Sequence, residues 1–180
     1  MCKISVIGIC GKSTFMRVDH FHKKGETLVA KSVYEEIGGK GINQAVAAAR
    51  MGADVSFLAA IGDDESGAEC RKTLNLNNIK SDLVTRKGKQ TTFAFILTDK
   101  FGENYVTEYK GAELCVGDVF EFETEIASSD ILLIQQVGGF ARDDGVLDID
   151  IRIDAVLDAL LYLVVNLGEN LAQRHLILQP

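Results

Sequence analysis

Hydrophobic and polar positions along the first three quarters of the chain fall into two alternating kinds of segment. Short runs rich in isoleucine, valine and leucine predict strands, and longer segments with apolar residues at helical spacing predict helices. Strands are predicted over residues 3–10, 54–61, 82–86 and 130–135, and helices over 42–51, 68–76 and 118–126. This order predicts an α/β fold, with a mostly parallel sheet flanked by helices.

A second pattern, in which apolar and polar residues alternate, occurs around residues 27–37 and 91–109. Within the latter, residues 91–98 and 105–109 flank the turn sequence DKFGEN, which predicts a β-hairpin. Half-exposed strands of this kind do not suit the interior of a parallel sheet. We therefore predict that they form a smaller, separate sheet.

The pattern changes after residue 136. Residues 147–153 alternate strictly between apolar and charged side chains, as in a half-exposed strand. The run DAVLDALLYLVVN then passes from helix-like to strand-like sequence with no turn residue between them. Because two elements of a βα unit need a connection of a few residues, we expect a single domain over residues 1–180 whose C-terminal part is incomplete.

A glycine-rich stretch, IGGKGINQAVAAARMG over residues 37–52, separates a predicted strand from a predicted helix. Gly38 and Gly39 allow a ligand to approach the backbone closely, and the first turn of the helix offers N–H groups. Asn43 lies in that turn and can both donate and accept hydrogen bonds. The stretch therefore predicts a site for a polar small molecule, or simply a tight turn that packs the helix on the sheet.

Composition narrows the class of protein. The formal net charge is −7, without any block of basic residues, which argues against nucleic acid and anionic membranes as partners. The four cysteines lie far apart, as expected for free thiols in a reducing compartment. The chain has neither a signal-peptide pattern nor an apolar run long enough to span a bilayer, so we expect a cytoplasmic protein.

Two further motifs resemble known nucleotide or metal sites only in part. Residues 8–13, GICGKS, contain the end of a P-loop pattern, but the spacing from the first glycine is wrong and a β-like segment follows. His20 and His22 could contribute to a metal site, although two histidines in a polar loop are more often solvated. Neither motif supports a nucleotide or metal site by itself.

Taken with its neighbours, the glycine stretch closely resembles the first signature of the PfkB carbohydrate kinases, in particular the ribokinase-like branch. The matching motifs are VDHFHKKGET, GGKGINQAVAAARMGADVSFLAAIGDDESG and TDKFGENYV…KGAE. This resemblance implies a Rossmann-like fold with a small β-sheet lid, here about residues 14–36 and 91–109. It further implies that Gly38, Gly39 and Asn43 bind sugar hydroxyls, and that two lids pair in a homodimer.

The resemblance also implies ATP and Mg²⁺ as cofactors. Asn166 and Glu169 resemble the family's N-x-x-E motif, in which the glutamate helps to hold magnesium and phosphate. Oxygen ligands of this kind suit magnesium. The alternative is an ordinary helix start, with Asn166 as the N-cap residue and Glu169 as its partner.

Several positions depart from the family pattern. Where the family has Asn-x-Asp after the first strand, this chain has Gly11 and Ser13, and Val137 replaces an expected glutamate. The second signature, Gly-Ala-Gly-Asp, which carries the catalytic base, does not occur in the sequence, and no catalytic residue can be named. The resemblance therefore predicts ATP-dependent phosphorylation of a sugar or sugar-like alcohol, with weak or no turnover by this chain alone. The alternative is a non-catalytic, sugar-binding or dimerising remnant of the fold.

Overall fold

The computed structural model describes residues 1–135 and 175–179. The elements, in chain order, are β1 (Lys3–Ile7), β2 (Gly11–Arg17), β3 (Ser32–Gly38), α1 (Lys40–Arg50), β4 (Asp54–Gly62), α2 (Glu65–Leu76), β5 (Lys80–Arg86), β6 (Phe93–Thr98), β7 (Asn104–Tyr109), α3 (Val116–Glu121), α4 (Glu123–Ser128), β8 (Ile131–Gln135) and β9 (His175–Gln179). They form two separate sheets.

The central sheet has five strands in the order β5-β4-β1-β8-β9, and every pair in it is parallel. The chain leaves β1, forms β4 and β5 on one side, and later returns to add β8 on the other side. From β1 the chain builds the sheet towards β5 on one side and, from β8, towards β9 on the other side. The strand order therefore reverses between β1 and β8, at their carboxyl ends.

Apolar side chains cover both faces of the central sheet. On one face, Phe57 packs with buried residues of α1 and α2, such as Ile42 and Leu74. On the other face, the next residue, Leu58, packs with Phe122 at the junction of α3 and α4. Adjacent strand residues thus enter opposite layers, as the pleat requires. Within the described residues, no helix combines the length and apolar character needed to cross a membrane.

The second sheet has four strands in the order β3-β2-β6-β7. Its outer pairs are antiparallel, whereas β2 and β6 run parallel. All six residues of β7 and the first five of β3 are exposed. This sheet lies above the carboxyl edge of the central one, because β2 begins four residues after β1 ends and β3 leads directly into α1.

The structure confirms the α/β fold with a parallel central sheet and a second, smaller sheet that contains the hairpin. Several details differ from the sequence-based expectation: the strand expected over residues 3–10 ends at Ile7, and the helix expected over 68–76 begins at Glu65. The strand expected over residues 27–37 begins only at Ser32, one helix expected over 118–126 is two short helices, and β9 was not anticipated. The predictions for residues 147–153, Val137, Asn166 and Glu169 lie outside the described residues.

Candidate functional site

The candidate site lies at the carboxyl end of β1, where the strand order of the central sheet reverses. Open parallel sheets commonly bind ligands in the crevice at such a point. The connection from β1 into the second sheet starts with Gly8, whose N–H donates to the carbonyl of Leu58 at 3.1 Å. Both sheets therefore border the same crevice.

The glycine turn from β3 into α1 forms one wall of this crevice. Gly39 has a φ of 108°, and a Cβ atom there would lie 2.8 Å from the carbonyl oxygen of Ile9. That oxygen accepts a hydrogen bond from the N–H of Ile42 at 3.2 Å, which fixes α1 against the end of β1. Gly41 packs equally closely, since a Cβ there would lie 2.8 Å from the Cα of Gly8. These contacts explain why the turn requires glycine.

A cavity of about 220 Å³ opens beside this turn, between the second sheet and the carboxyl edge of the central sheet. Its size suits a small molecule rather than a macromolecular partner. The residues that line it come from β2, the glycine turn, β6, β7 and the ends of β1 and β8: Ile9, Gly11, Lys12, Ser13, Gly38, Gly39, Lys40, Thr92, Phe93, Ala94, Glu108 and Gln135.

Lys12 is the cationic group on β2 at this cavity. Its Nζ lies 3.0 Å from Glu35 Oε2 on β3 and 3.4 Å from Glu69 Oε2 on α2. The hydrogen bond to Glu35 is the main reason that the pKa of Lys12 is raised, with Glu69 adding to it. This ion-pair cluster joins the second sheet to a helix of the central layer and balances the lysine charge beside the cavity.

Polar groups also come from the opposite side of the cavity. Gln135 ends β8 and is 2% exposed, as expected for a residue at the carboxyl end of a central strand. Thr92 is buried, and its hydroxyl accepts a hydrogen bond from the Gly111 N–H at 3.1 Å. Glu108 on β7 brings a carboxylate to the same wall. The cavity thus combines donors and acceptors, which suits a ligand rich in hydroxyl groups.

A buried hydrogen-bond cluster holds the segment that enters β6. The carboxylate of Asp64, the N-cap residue of α2, accepts from the Thr91 N–H at 2.8 Å and from the Gly67 N–H at 2.9 Å. The Thr91 hydroxyl donates to Asp64 and accepts from the Gly62 N–H. Burial acts to raise the pKa of Asp64, but these hydrogen bonds outweigh it and hold the pKa below its ordinary value.

The structure brings some of the sequence-predicted site residues together and leaves others apart. Gly38 and Gly39 line the cavity, as do Gly11 and Ser13. Asn43 is exposed in the first turn of α1, where its N–H donates to the Gly39 carbonyl, and it does not line this cavity. Within the described residues no group of three potential metal ligands occurs, and His20 contacts Glu26 at 3.0 Å. Asn166 and Glu169 lie outside the described residues.

Five polar or charged lining residues do not stand out in the sequence: Lys12, Lys40, Thr92, Glu108 and Gln135. Gln135 could have been found from its place at the end of the predicted strand 130–135, because ligands meet the carboxyl ends of parallel strands. Glu108 could not, since its position depends on the pairing of β6 with β7 and on how the second sheet sits over the first.

Comparisons with known proteins agree with this architecture. A model of the pfkB family carbohydrate kinases matches residues 1–144. Ribokinase of Haemophilus influenzae is 36% identical over 135 residues, which make up 73% of this chain and 44% of that protein. The chain therefore spans less than half the length of this relative.

Two solved structures are similar to this chain. Ribokinase from Cryptococcus neoformans, solved in complex with ADP, has a TM-score of 0.66 and 31% identity, covering 76% of this chain and 42% of that one. Ribokinase from Giardia lamblia has a TM-score of 0.78 at 21% identity, covering 99% of this chain and 50% of that one, and it supports the fold. Because the family model matches most of its residues, the chain belongs to the pfkB family of carbohydrate kinases.

Proposed function

We propose that this chain carries the sugar-binding part of an ATP-dependent carbohydrate kinase. One observation carries the proposal: a cavity of about 220 Å³ lies at the strand-order reversal, between the second sheet and the glycine turn of a pfkB-family chain. The reaction is the transfer of a phosphoryl group from ATP to a sugar hydroxyl.

In this proposal the backbone around Gly38 and Gly39 positions the sugar. α1 starts without a side-chain cap and without an acidic residue in its first turn, so no carboxylate of that turn competes with a ligand for the helix end. Asn43 is proposed to reach the sugar when the second sheet closes over the cavity as a lid. Closure of this kind excludes water and favours transfer to the sugar over hydrolysis.

ATP and magnesium belong to the proposal as well. The ADP bound to the relative from Cryptococcus neoformans supports ATP as the phosphoryl donor. Asn166 and Glu169 are proposed to organise magnesium and phosphate, because carboxylate and amide oxygens suit this ion. Since the sequence contains no Gly-Ala-Gly-Asp run, we expect weak or no turnover from these 180 residues alone.

Calorimetry with a panel of pentoses and hexoses tests sugar binding, and a coupled assay for ADP release tests turnover. Gly39→Ala is the informative variant, because its Cβ would meet the Ile9 carbonyl and its φ is positive. Gly25→Ala is a matched control, since Gly25 also has a positive φ but has nothing within 4 Å of its Cβ. We expect the wild type and Gly25→Ala to bind a sugar and Gly39→Ala to lose binding.

Failure of the wild-type chain to bind any sugar would contradict the proposal, and rapid ADP release would contradict the expectation of weak turnover. A second candidate function, a non-catalytic sugar-binding or dimerising remnant, is favoured by Gly11 and Ser13, which put no carboxylate on this stretch of β2. Sugar binding without any ATP binding in the same calorimetry experiment would support this candidate.

We further propose that the second sheet pairs with that of another copy, in a cytoplasmic homodimer. Exposed apolar side chains on this sheet support the pairing, among them Val33, Tyr34, Tyr105 and Val106. Light scattering after size exclusion should give the mass of two chains, and a concentration-independent mass of one chain would contradict the dimer.

A further inference from the structure

Glu108 is placed to act as a specificity determinant in the cavity. It is the single carboxylate among the described residues that line this cavity, and its own strand, β7, belongs to the second sheet. None of the ion pairs among the described residues includes Glu108, and its side chain forms no hydrogen bond with another side chain there. Its acceptor oxygens therefore remain available to a ligand.

Strand register places Glu108 on the face that looks into the cavity. Glu108 pairs with Ala94 on β6, and Ala94 pairs with Ser13 on β2. Paired residues of neighbouring strands project from the same face of a sheet, so these three form one row, and all three line the cavity. The row spans two strand spacings, about 10 Å, and its central alanine leaves room for a ligand beneath the longer glutamate.

The charged and polar groups around the cavity indicate that the Glu108 carboxylate can accept hydrogen bonds from a ligand. Two lysines line the cavity, Lys12 and Lys40, and the charge of Lys12 is balanced by Glu35 and Glu69 rather than by Glu108. The hydroxyl of Ser13 can donate to ligand oxygens, but hydroxyl protons of a ligand need acceptors in turn. A carboxylate accepts up to four hydrogen bonds and can take two neighbouring hydroxyls at once.

A second acidic group, Glu113, lies near Glu108. Glu108 and Glu113 both line a small pocket that shares Ile9 and Thr92 with the main cavity. The buried Oε1 of Glu113 has no hydrogen-bond partner within the described residues. Although Lys110 also lines this small pocket, this Glu113 oxygen has no donor among the described residues, whereas buried polar atoms are nearly always paired. A ligand that brings hydroxyl groups supplies the missing donors.

Resting on the proposed function, we infer that Glu108 accepts hydrogen bonds from two neighbouring hydroxyls of a neutral sugar and thereby selects the substrate. Removal of the charge should then weaken binding of such a sugar about tenfold to a hundredfold, because hydrogen bonds to a charged group are the stronger ones. Removal of one of the two sugar hydroxyls should have a similar effect on the wild type.

The experiment combines variants of the full 180-residue chain with deoxy sugars, measured by calorimetry. Glu108→Gln keeps the shape of the side chain and removes its charge. Glu36→Gln is the matched control, because Glu36 is an exposed carboxylate in the same row, paired with Ser13, and does not line the cavity. A third variant, Glu108→Gln with Ser13→Asp, moves the carboxylate to the other side of the same row.

We expect Glu108→Gln to bind the best sugar of the panel at least tenfold more weakly and Glu36→Gln to bind it like the wild type. The penalty for one particular missing hydroxyl should shrink in Glu108→Gln, a result that a merely structural role would not give. Partial recovery in the variant with Ser13→Asp would support the assignment further.

Unchanged sugar affinity in Glu108→Gln would overturn the inference while leaving the proposed function intact. The same holds if Glu108→Gln weakens all deoxy sugars and the parent sugar by one common factor. If the wild-type chain binds no sugar at all, the proposed function fails, and the inference fails with it.

Discussion

The two sheets of this protein differ in what their side chains contact. In the central sheet, Phe57 is completely buried between β-strands and helices, whereas Phe95 in the second sheet is 45% exposed. Both strands carry residues of high β-propensity, and both pair fully with their neighbours. The two sheets therefore differ in the burial of their side chains and not in the β-propensity of their residues.

This difference shows that stability and ligand contact are supplied by separate parts of the chain. The central sheet has helices on both faces and buries most of the apolar surface. The second sheet keeps many side chains exposed and is attached through close-packed glycines and a hydrogen-bonded threonine. Side chains of the second sheet can therefore contact a ligand in the cavity.

The strongest test of this comparison is a matched pair of phenylalanine truncations. Phe57→Ala should lower the free energy of unfolding by about 3–5 kcal/mol, because it removes buried contacts and leaves a cavity between helices and sheet. Phe95→Ala should cost less than about 1 kcal/mol, since the lost ring is half exposed and has one edge-on contact, with Phe93. Urea unfolding followed by circular dichroism measures both.

Equal losses in the two variants would contradict the division between the sheets. If Phe57→Ala does not fold, Phe57→Leu gives the milder version of the same test. Its loss should still exceed that of Phe95→Ala.

The junction between the sheets offers the next test. Thr91→Val keeps the shape of a buried side chain but removes the hydroxyl that donates to Asp64 and accepts from the Gly62 N–H. We expect a loss of about 1–3 kcal/mol, because the buried Gly62 N–H is left without its acceptor and Asp64 loses one of its donors. Thr107→Val on the exposed strand β7 is the control and should change stability by less than about 0.5 kcal/mol.

The pH dependence gives this prediction a second readout. Since the pKa of Asp64 is lowered by folding, its contribution to stability is present above the ordinary aspartate pKa of about 3.9 and is lost as the pH falls through the lower folded value. Thr91→Val should make this acid-side loss smaller. An unchanged acid-side slope would show that Thr91 does not stabilise the Asp64 charge.

Much of the central layer could be predicted from sequence, because buried strands and glycine turns follow local rules. The strand over Asp54–Gly62 and the helix that follows Gly39 are examples, since apolar runs and the alanine-rich segment specify them directly. The hairpin was also predictable, because its turn sequence separates two β-rich runs.

The cavity could be predicted only in part, because its lining comes from pairings distant in sequence. Gly38 and Gly39 stand out locally, but Glu108 reaches the cavity through the register of β7 with β6 and of β6 with β2. In the sequence Lys12 belongs to an incomplete P-loop pattern, and only the structure shows its contacts with Glu35 and Glu69. No local periodicity encodes such contacts.

Glu113 provides the smallest and most specific test of the junction, because its environment is the reverse of that of Asp64. Burial raises the pKa of this carboxyl, with Glu108 adding to the effect and Lys110 opposing it. The folded state therefore holds a proton that the unfolded state has already lost, and stability falls as the pH rises from about 4.3 through the raised folded pKa.

Glu113→Gln should remove that fall, with a gain of less than about 1 kcal/mol at neutral pH, because the group is partly exposed and its charge is screened. Unfolding by urea at several pH values between about 4 and 7 measures the effect, and Glu103→Gln at the exposed hairpin turn is the control. A steeper fall in Glu113→Gln would mean that the charged carboxylate is stabilised by folding. Glu113 would then behave like Asp64, whose charged carboxylate is stabilised by hydrogen bonds. The proposed difference between these two carboxylates would be wrong.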